Sequence, residues 1–462
     1  MHEFTKIERI DPETKLSKER INNFEEIYKP YTNSSAVAQA SRCIQCGIPY
    51  CAATGCPLNN NIPQWLKFIA EQDLSLAFNI SNETSPFPEI LGRICPHDRL
   101  CEGACTLNEG HGAVTIGAIE IHINEEGFSK GLTPDFPHQL SNKKVAIIGS
   151  GPAGLSCATF LLRAGIKPVI FERADEPGGL LIYGIPGFKL QKESVFIRVK
   201  QLLDAGMELK LNTEIGKDIA FDEIYNNYDA VFLATGATQG KVLNHEGYNS
   251  NNVYMAVPFL TNIQKKLLEK PFDRKYSVSG KHVMVIGGGD TAMDCVRTCV
   301  REGAASVKCI YRRDEASMPG SKKEVKAAKE EGVTFIFNTA PKNFIANGEG
   351  SITGMSFINT MLTETDKNGR ATFSEIPNTE HNIEADVIIL ALGFDMEQLQ
   401  FLNHHNINVN KYGNVMVNEF KQTNDAKIFA GGDNVRGADL AVNAALDGRE
   451  AAFKIAAYVY GE

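Results

Sequence analysis

Apolar positions along the chain follow two different rhythms. Up to about residue 140 they come in short clusters among polar residues, and the stretch 62–77 reads as helix. From Lys143 the texture changes to short apolar strand runs followed by glycines and helical segments, the alternation of a parallel α/β sheet. The same texture restarts at Lys281. Between the first two zones, GLTPDFPHQLSNKK carries two prolines and polar flanks and reads as a linker. There is no low-complexity tract, and the one internal repetition is a strand–glycine loop–helix unit that occurs twice.

The first unit is VAIIGSGPAGLSCATFLLRAGIKPVIFER. A strand over 145–148 runs into Gly149-x-Gly151-x-x-Gly154 and a helix reaching about Arg163, and a second strand over 168–171 ends at Glu172. The glycines allow a tight turn and close approach of a pyrophosphate to a helix N-terminus, and the terminal acid can accept both ribose hydroxyls. A lone glycine pattern is weak evidence, but the full set of strand, loop, helix, strand and acid is specific. The second unit, VMVIGGGDTAMDCVRTCVREGAASVKCIYRRDE, has Gly287-x-Gly289-x-x-Ala292 and ends in Tyr311-Arg312-Arg313 instead of an acid. Arginine pairs with a 2′-phosphate that an acid would repel, so this unit predicts NADP(H); the bland alternative is a solvated strand end.

Two such units in one chain suggest a flavoprotein with a nicotinamide partner. Ala234-Thr235-Gly236 closes a strand over 230–233, and Ala391-Leu392-Gly393 closes one over 386–390. KIFAGGDNVRGADLAVNAALDGREAA puts Gly432-Asp433 between a strand and a helix, which resembles the second FAD fingerprint of flavoproteins with two dinucleotide domains. In that family the aspartate holds the ribityl chain, and the next helix aims its positive end at the flavin. The layout implies an FAD domain split by an inserted NADP(H) domain, with the chain returning to the first sheet from Asp386 onward.

At 462 residues two or three domains are expected, and 43% hydrophobic with 22% charged residues is the composition of a soluble globular protein. A net charge of −9 argues against general nucleic-acid binding. No apolar run approaches the roughly 20 residues needed to cross a bilayer. The charged N-terminus MHEFTKIERIDPETK has no export-signal core, so a cytoplasmic location is expected.

The cysteines change the picture more. Seven of the 11 fall between Cys43 and Cys105, and Cys157, Cys295, Cys299 and Cys309 are scattered. A reducing compartment makes a disulfide framework implausible, and the crowding points to a metal or cluster site. The groups are Cys43-x2-Cys46-x4-Cys51-x4-Cys56-Pro57 and Cys95-Pro96-x4-Cys101-x3-Cys105. Zinc suits such thiols too. Proline after cysteine, the lack of two matched CxxC pairs, and a flavin neighbour that calls for a one-electron outlet favour iron–sulfur. Seven cysteines fall short of the eight ligands that two four-iron clusters need. Cys295 and Cys299 share a helix face; they could form a redox pair, but packing against the sheet is the simpler reading. No redox-active CxxC or CxxxxC stands where disulfide-reductase flavoproteins carry theirs.

With SRCIQCGIPYC, GCPLNNNIPQW, GRICPHDRLCEGACTLNEGHGAVTIGAIE, GGLLIYGIPGFKL, YRRDEASMPGS and GGDNVRGADL added to the two loops, nearly the whole chain resembles the small (β) subunits of bacterial NADPH-dependent glutamate synthases. The same module occurs in dihydropyrimidine dehydrogenases and in NADPH:ferredoxin-type oxidoreductases. The resemblance implies an α/β chain with an N-terminal helical iron–sulfur domain (1–140), an FAD domain in two parts (141–258 and 385–462) and an inserted NADP(H) domain (259–384). It implies FAD on Gly149, Gly151, Pro152, Ala153, Gly154, Glu172, Gly179, Leu180, Thr235, Gly236, Gly432, Asp433, Ala441 and Val442. It implies NADPH on Gly287, Gly289, Asp290, Thr291, Ala292, Arg312 and Arg313. Two 4Fe–4S clusters are implied by the same route, one on Cys43, Cys46, Cys51 and Cys105, the other on Cys56, Cys95, Cys101 and Glu120. The related dehydrogenases have glutamine at the position of Glu120. The loop CAATGC carries four residues between its cysteines where the family's short forms have three, which bears on the cluster Cys56 serves.

The implied function is electron input: NADPH is oxidised and electrons reach the FMN of a large (α) subunit that forms glutamate from glutamine and 2-oxoglutarate. Two alternatives stand beside it. One is a related NADPH oxidoreductase serving ferredoxin, sulfide or polysulfide, or a pyrimidine-reducing partner; the other is a zinc-stabilised flavoprotein scaffold. Lys189 and Arg436 are candidate contacts to flavin or phosphate, or surface charges, and no side chain is singled out as catalytic.

Overall fold

The computed structural model describes residues 1–243, 245–365 and 371–461. The N-terminal zone is a cluster of helices, Asn33–Ser41, Ile62–Ala70, Leu74–Thr84, Pro88–Ile94 and Ile116–Ser129, around its own apolar centre of Trp65, Phe78, Ile119 and Ile123. The expected helix over 62–77 is two helices. Gln72 adopts a left-handed φ of 62°, and the Asp73 carboxylate caps the second helix by accepting from Leu76 N at 3.0 Å.

Both α/β sheets have five parallel strands. The first runs, in spatial order, Ile428–Ala430, Ala230–Leu233, Lys144–Ile148, Lys167–Phe171, Glu208–Lys210. The second runs Val253–Met255, Val387–Leu390, His282–Ile286, Ser306–Ile310, Thr334–Ile336. Val387–Leu390 corrects an expectation: it pairs with His282–Ile286 and Val253–Met255 in the second sheet, and the chain re-enters the first sheet only at Ile428–Ala430. The boundaries at 258/259 and 384/385 therefore each cut a strand away from the second sheet. The cause is a shared signal. Each sheet sets a fully buried four-residue apolar strand beside its glycine-loop strand and ends it in a small-residue turn, Ala234-Thr235-Gly236 or Ala391-Leu392-Gly393. The pattern does not say which sheet it joins.

One element had no counterpart in the sequence pattern. Thr339–Ala346, Ile352–Thr365, Ala371–Glu375 and His381–Glu384 form an antiparallel sheet around the long second strand. Phe344, Met355 and Phe357 from it pack under Met284 and Ile388 of the second parallel sheet.

The helix Pro152–Arg163 is clamped by the C-terminal helix Ala441–Tyr460. A Cβ at Gly448 would lie 2.1 Å from Ala153 O, so only glycine permits that approach. Arginines tie the helical zone to this unit. Arg163 donates to the carbonyls of Asn82 and Glu83, Arg449 to those of Leu58 and Thr84, and Arg198 to the Glu89 carboxylate at 2.6 and 2.9 Å. Among the described residues no helix is long and apolar enough to cross a membrane.

Candidate functional site

The two glycine loops are built alike. Gly149 has φ 104°, and a Cβ there would lie 2.4 Å from Ala234 O; Gly287 has φ 149°, with Ala391 O 2.3 Å from the same point. Each loop thus needs glycine because the neighbouring strand's turn presses against it. The helices after these loops, Pro152–Arg163 and Asp290–Arg301, start without a side-chain cap, which leaves their first N–H groups to an anion.

Beside the first loop lies a cavity of about 900 Å³. Of the predicted FAD residues it is lined by Gly149, Gly151, Pro152, Ala153, Glu172, Gly179, Leu180, Thr235, Gly236, Asp433 and Ala441. The other three lie elsewhere. Gly154 lets its helix close on the loop, since a Cβ would lie 2.0 Å from Gly149 O, and Gly432 turns the chain at φ 81° beside Ala153. Val442 faces a neighbouring cavity. The Glu172 carboxylate accepts from Ser150 N at 2.9 Å, Ser150 Oγ at 2.5 Å and Ala174 N at 2.8 Å, so the strand end is laced to the loop. Burial pushes the Asp433 carboxyl up to about 7.

A second cavity, of about 990 Å³, joins all three zones. It is lined by Cys95 and His97 of the helical zone, Ile185 and Lys189 of the first unit, Asp290, Thr291 and Asp294 of the second, and Ala441 and Val442 at the start of the C-terminal helix. Ile185, Asp439 and Ala441 line both cavities, so the two spaces meet at that helix start. The remaining predicted nicotinamide residues sit around the second loop. Nothing would stand within 4 Å of a Cβ at Gly289, and Ala292 is buried in the helix. Arg312 is exposed, with its guanidinium 4.9 Å above the Phe373 ring, whereas Arg313 is buried and donates to Tyr311 Oη at 3.3 Å. The arginine pair is thus split between two environments.

Neither of the other two candidate contacts is an unpartnered surface charge. Lys189 Nζ donates to Asp294 at 2.8 Å, and Arg436 is paired with Asp447 at 2.6 and 2.8 Å, where Gly432 N also donates. Lys192 was missed. Its buried ammonium donates to the carbonyls of Leu181 and Ile185, pinning the turn that reaches both cavities, and burial pulls its pKa down to about 7. Its only sequence signal was a position two residues past the GFKL motif.

The seven crowded cysteines divide into two sets. Cys43, Cys46, Cys51 and Cys105 line one small cavity; Cys56, Cys95, Cys101 and Glu120 line another. The longer loop between Cys51 and Cys56 therefore leaves Cys56 with Cys95 and Cys101. Among the described residues no three histidine, cysteine, aspartate or glutamate side chains group as a single metal ion would require. In the first set, Gln45 Nε2 donates to Cys43 Sγ and Cys46 Sγ lies by Thr106 Oγ1, each at 3.3 Å. Burial pushes the Cys51 thiol up to about 12 and Cys56 to about 11, and raises Cys95 and Cys101 well above the usual range. Burial, with Glu89 adding to it, lifts Glu120 to about 8 while Asn60 donates to its Oε1 at 3.3 Å. Soft sulfur donors in small pockets, one of them lined by Trp65, whose buried indole N–H has no partner, fit a group that supplies its own charge and acceptors. The two cavities share Ile116, and the three-cysteine one shares Cys95, His97 and Val442 with the large cleft. The other four cysteines are buried and unpaired.

Two dinucleotide units of one design, opening on a cleft shared with a cysteine-rich helical domain, define an oxidoreductase of the pyridine-nucleotide type with an iron–sulfur domain. The family comparisons agree: residues 20–132 match the model described as dihydropyrimidine dehydrogenase domain II, 4Fe-4S cluster, and residues 143–448 match pyridine nucleotide-disulphide oxidoreductase. The glutamate synthase (NADPH) small chain of Escherichia coli K12 is 46% identical over 98% of this chain and 97% of its own length. The chain belongs to the family of the glutamate synthase (NADPH) small chains. It is also 44% identical, over 96% of its length, to 69% of the E. coli protein AegA, which is named only as an oxidoreductase. Among solved structures, Mycobacterium tuberculosis FprA in complex with NADPH superposes with a TM-score of 0.57 at 16% identity, covering 70% of this chain and 85% of that one, a likeness of fold.

Proposed function

We propose that the chain is the electron-input subunit of an NADPH-dependent glutamate synthase, working in the cytoplasm beside a large subunit that carries FMN. The observation that carries this reading is the single cleft lined by both dinucleotide units and by Cys95 and His97 of the cysteine zone. When bound, FAD would take a hydride from NADPH and release single electrons, and iron–sulfur clusters would carry them toward the partner.

The chain's own residues position and insulate. Glu172 would hold the adenosine ribose of FAD, the start of Pro152–Arg163 its pyrophosphate, and the start of Ala441–Tyr460 the pyrimidine edge, where the helix's positive end favours added negative charge. Asp290 and Thr291 would meet the NADPH pyrophosphate, and Arg312 its 2′-phosphate. Lys192, by fixing the turn 180–185, would keep Ile185 between the two ligands. The two cysteine sets would each hold a 4Fe–4S cluster, with Glu120 as the fourth ligand of the three-cysteine set. On the second sheet's pairing, the nicotinamide unit would extend over 253–390.

The test is reconstitution. Anaerobically purified protein should hold FAD, iron and acid-labile sulfide, and with the large subunit it should form glutamate from glutamine and 2-oxoglutarate at the expense of NADPH. Zinc without sulfide would sink the reading. The likeness to AegA favours a second reading, the same module feeding another acceptor; protein that oxidises NADPH with an artificial acceptor but ignores the large subunit would select it. Glu120→Ala should lose or destabilise one cluster, and an unchanged EPR spectrum of the reduced protein would remove Glu120 from the ligands.

A further inference from the structure

Trp65 is the only tryptophan of the chain, and it is fully buried in the helix Ile62–Ala70. Its indole N–H meets no hydrogen-bond acceptor among the described residues. An indole nitrogen can only donate, and a buried donor left without an acceptor is costly. The side chain lines the cavity of Cys56, Cys95, Cys101 and Glu120. The other polar side chains there are accounted for. Asn60 donates to Glu120 at 3.3 Å and accepts from Thr84 at 2.9 Å. His97 Nε2 also lacks a partner, but a neutral imidazole nitrogen can stand as an unused acceptor, and this ring edge lies against Gly117, where a Cβ would be 2.4 Å away. Among the described residues the four-cysteine cavity has no buried unpaired side-chain donor on its wall.

We propose that Trp65 Nε1–H donates a hydrogen bond to a sulfur of the cluster held by Cys56, Cys95 and Cys101, and thereby raises that cluster's reduction potential. The inference rests on the reading that this cavity holds an iron–sulfur cluster. A donor aimed at a cluster sulfur stabilises the extra negative charge of the reduced state, so hydrogen bonds to the sulfurs are among the determinants of potential.

A single tryptophan makes the test direct. Holoprotein grown with indole-15N tryptophan carries the label at one nitrogen, and pulsed EPR of the reduced protein should show a 15N coupling to one cluster. In Trp65→Phe the midpoint potential of one cluster should move to a more negative value while the other stays. Absence of the coupling in wild-type protein with full iron and sulfide content overturns the proposal, whether or not the variant folds. So do two unchanged potentials in a loaded variant. Protein holding zinc and no sulfide overturns the cluster reading itself, an outcome that metal analysis separates from the others.

Discussion

The two dinucleotide units share a scaffold and differ in the residues just past their second strand and in the cover over their first helix. Phe171 and Ile310 hold the same register beside Ile148 and Ile286, so Glu172 and Tyr311 are equivalent positions. Glu172 turns its carboxylate onto Ser150 of the loop. Tyr311 lays its ring over Gly288, where a Cβ would be 2.5 Å from ring carbons, and donates its hydroxyl to Ser317 O at 2.9 Å. The acid's place is therefore taken by an aromatic plug, and the exposed arginine comes one residue later. The two units differ here in a few side chains on a common backbone.

The helices differ as much. Pro152–Arg163 is buried almost throughout against apolar and small residues, with Ser156 Oγ donating to Ala445 O at 2.6 Å. Asp290–Arg301 buries Asp294 and Arg297, with Arg301 beside them. Glu331 accepts from Arg297, from Arg301, and from Arg20 at 2.8 Å, the last reaching in from the N-terminal segment. One unit is closed by close packing and the other by a buried ion network.

The largest predicted effect tests that contrast. Glu331→Ala leaves the arginines around it without their shared carboxylate and should cost about 3–5 kcal/mol in denaturant unfolding, the range for breaking a buried ion pair. Ser156→Ala should cost about 1 kcal/mol, the value of one hydrogen bond. Equal losses would erase the distinction. The network also predicts an acid limb. Burial opposes ionisation of Glu331, but hydrogen bonds from Arg301 and Arg297 outweigh it and hold the carboxyl down to about 2, below its ordinary 4.5. Its contribution is complete above pH 4.5 and lost as the pH falls toward 2, because the unfolded chain takes up the proton first. Glu331→Ala should flatten stability over that window.

Glu172→Gln comes next. It would remove the charged acceptor proposed for the ribose and leave either Ser150 N or Ala174 N without an acceptor. FAD should bind about 10–150-fold more weakly, the equivalent of about 1.5–3 kcal/mol for hydrogen bonds to a charged group, as measured by titrating apoprotein with flavin. Affinity for NADP+ should not change. A matching loss there would mean that the acid supports the whole chain and not its own unit.

These contrasts were unequally legible in the sequence. Gly149 and Gly287 were readable because a tight turn against a neighbouring carbonyl admits few other residues, and Glu172 because an acid stands at the end of the next strand. The shortage of an eighth cysteine pointed away from an all-cysteine pair of sites, and Glu120 does line the three-cysteine cavity. The ion network was not readable: Arg297, Arg301 and Glu331 on helical segments look like a solvated face until Arg20, 311 residues from Glu331 in sequence, covers them. The membership of 387–390 was hidden because a buried parallel strand carries the same apolar run in either sheet. The antiparallel sheet over 339–384 is built from half-exposed strands with no clean alternation of apolar and polar positions, where local pattern is weak.

The smallest effect divides the arginine pair. Arg312 is exposed over Phe373, and Arg313 is buried against the Tyr311 hydroxyl, so on the proposed reading a 2′-phosphate arriving from solvent would meet Arg312. Arg312→Ala should raise the KM for NADPH about tenfold, the low end for a charged hydrogen bond because solvent screens the site, and leave that for NADH nearly unchanged. Raising the ionic strength should narrow the gap between wild type and this variant. Arg313→Ala should act on unfolding and leave the preference for NADPH over NADH intact. Should Arg313→Ala instead abolish that preference while Arg312→Ala keeps it, the buried arginine would be the reader, and Tyr311 would have to move off Gly288 when the nucleotide binds.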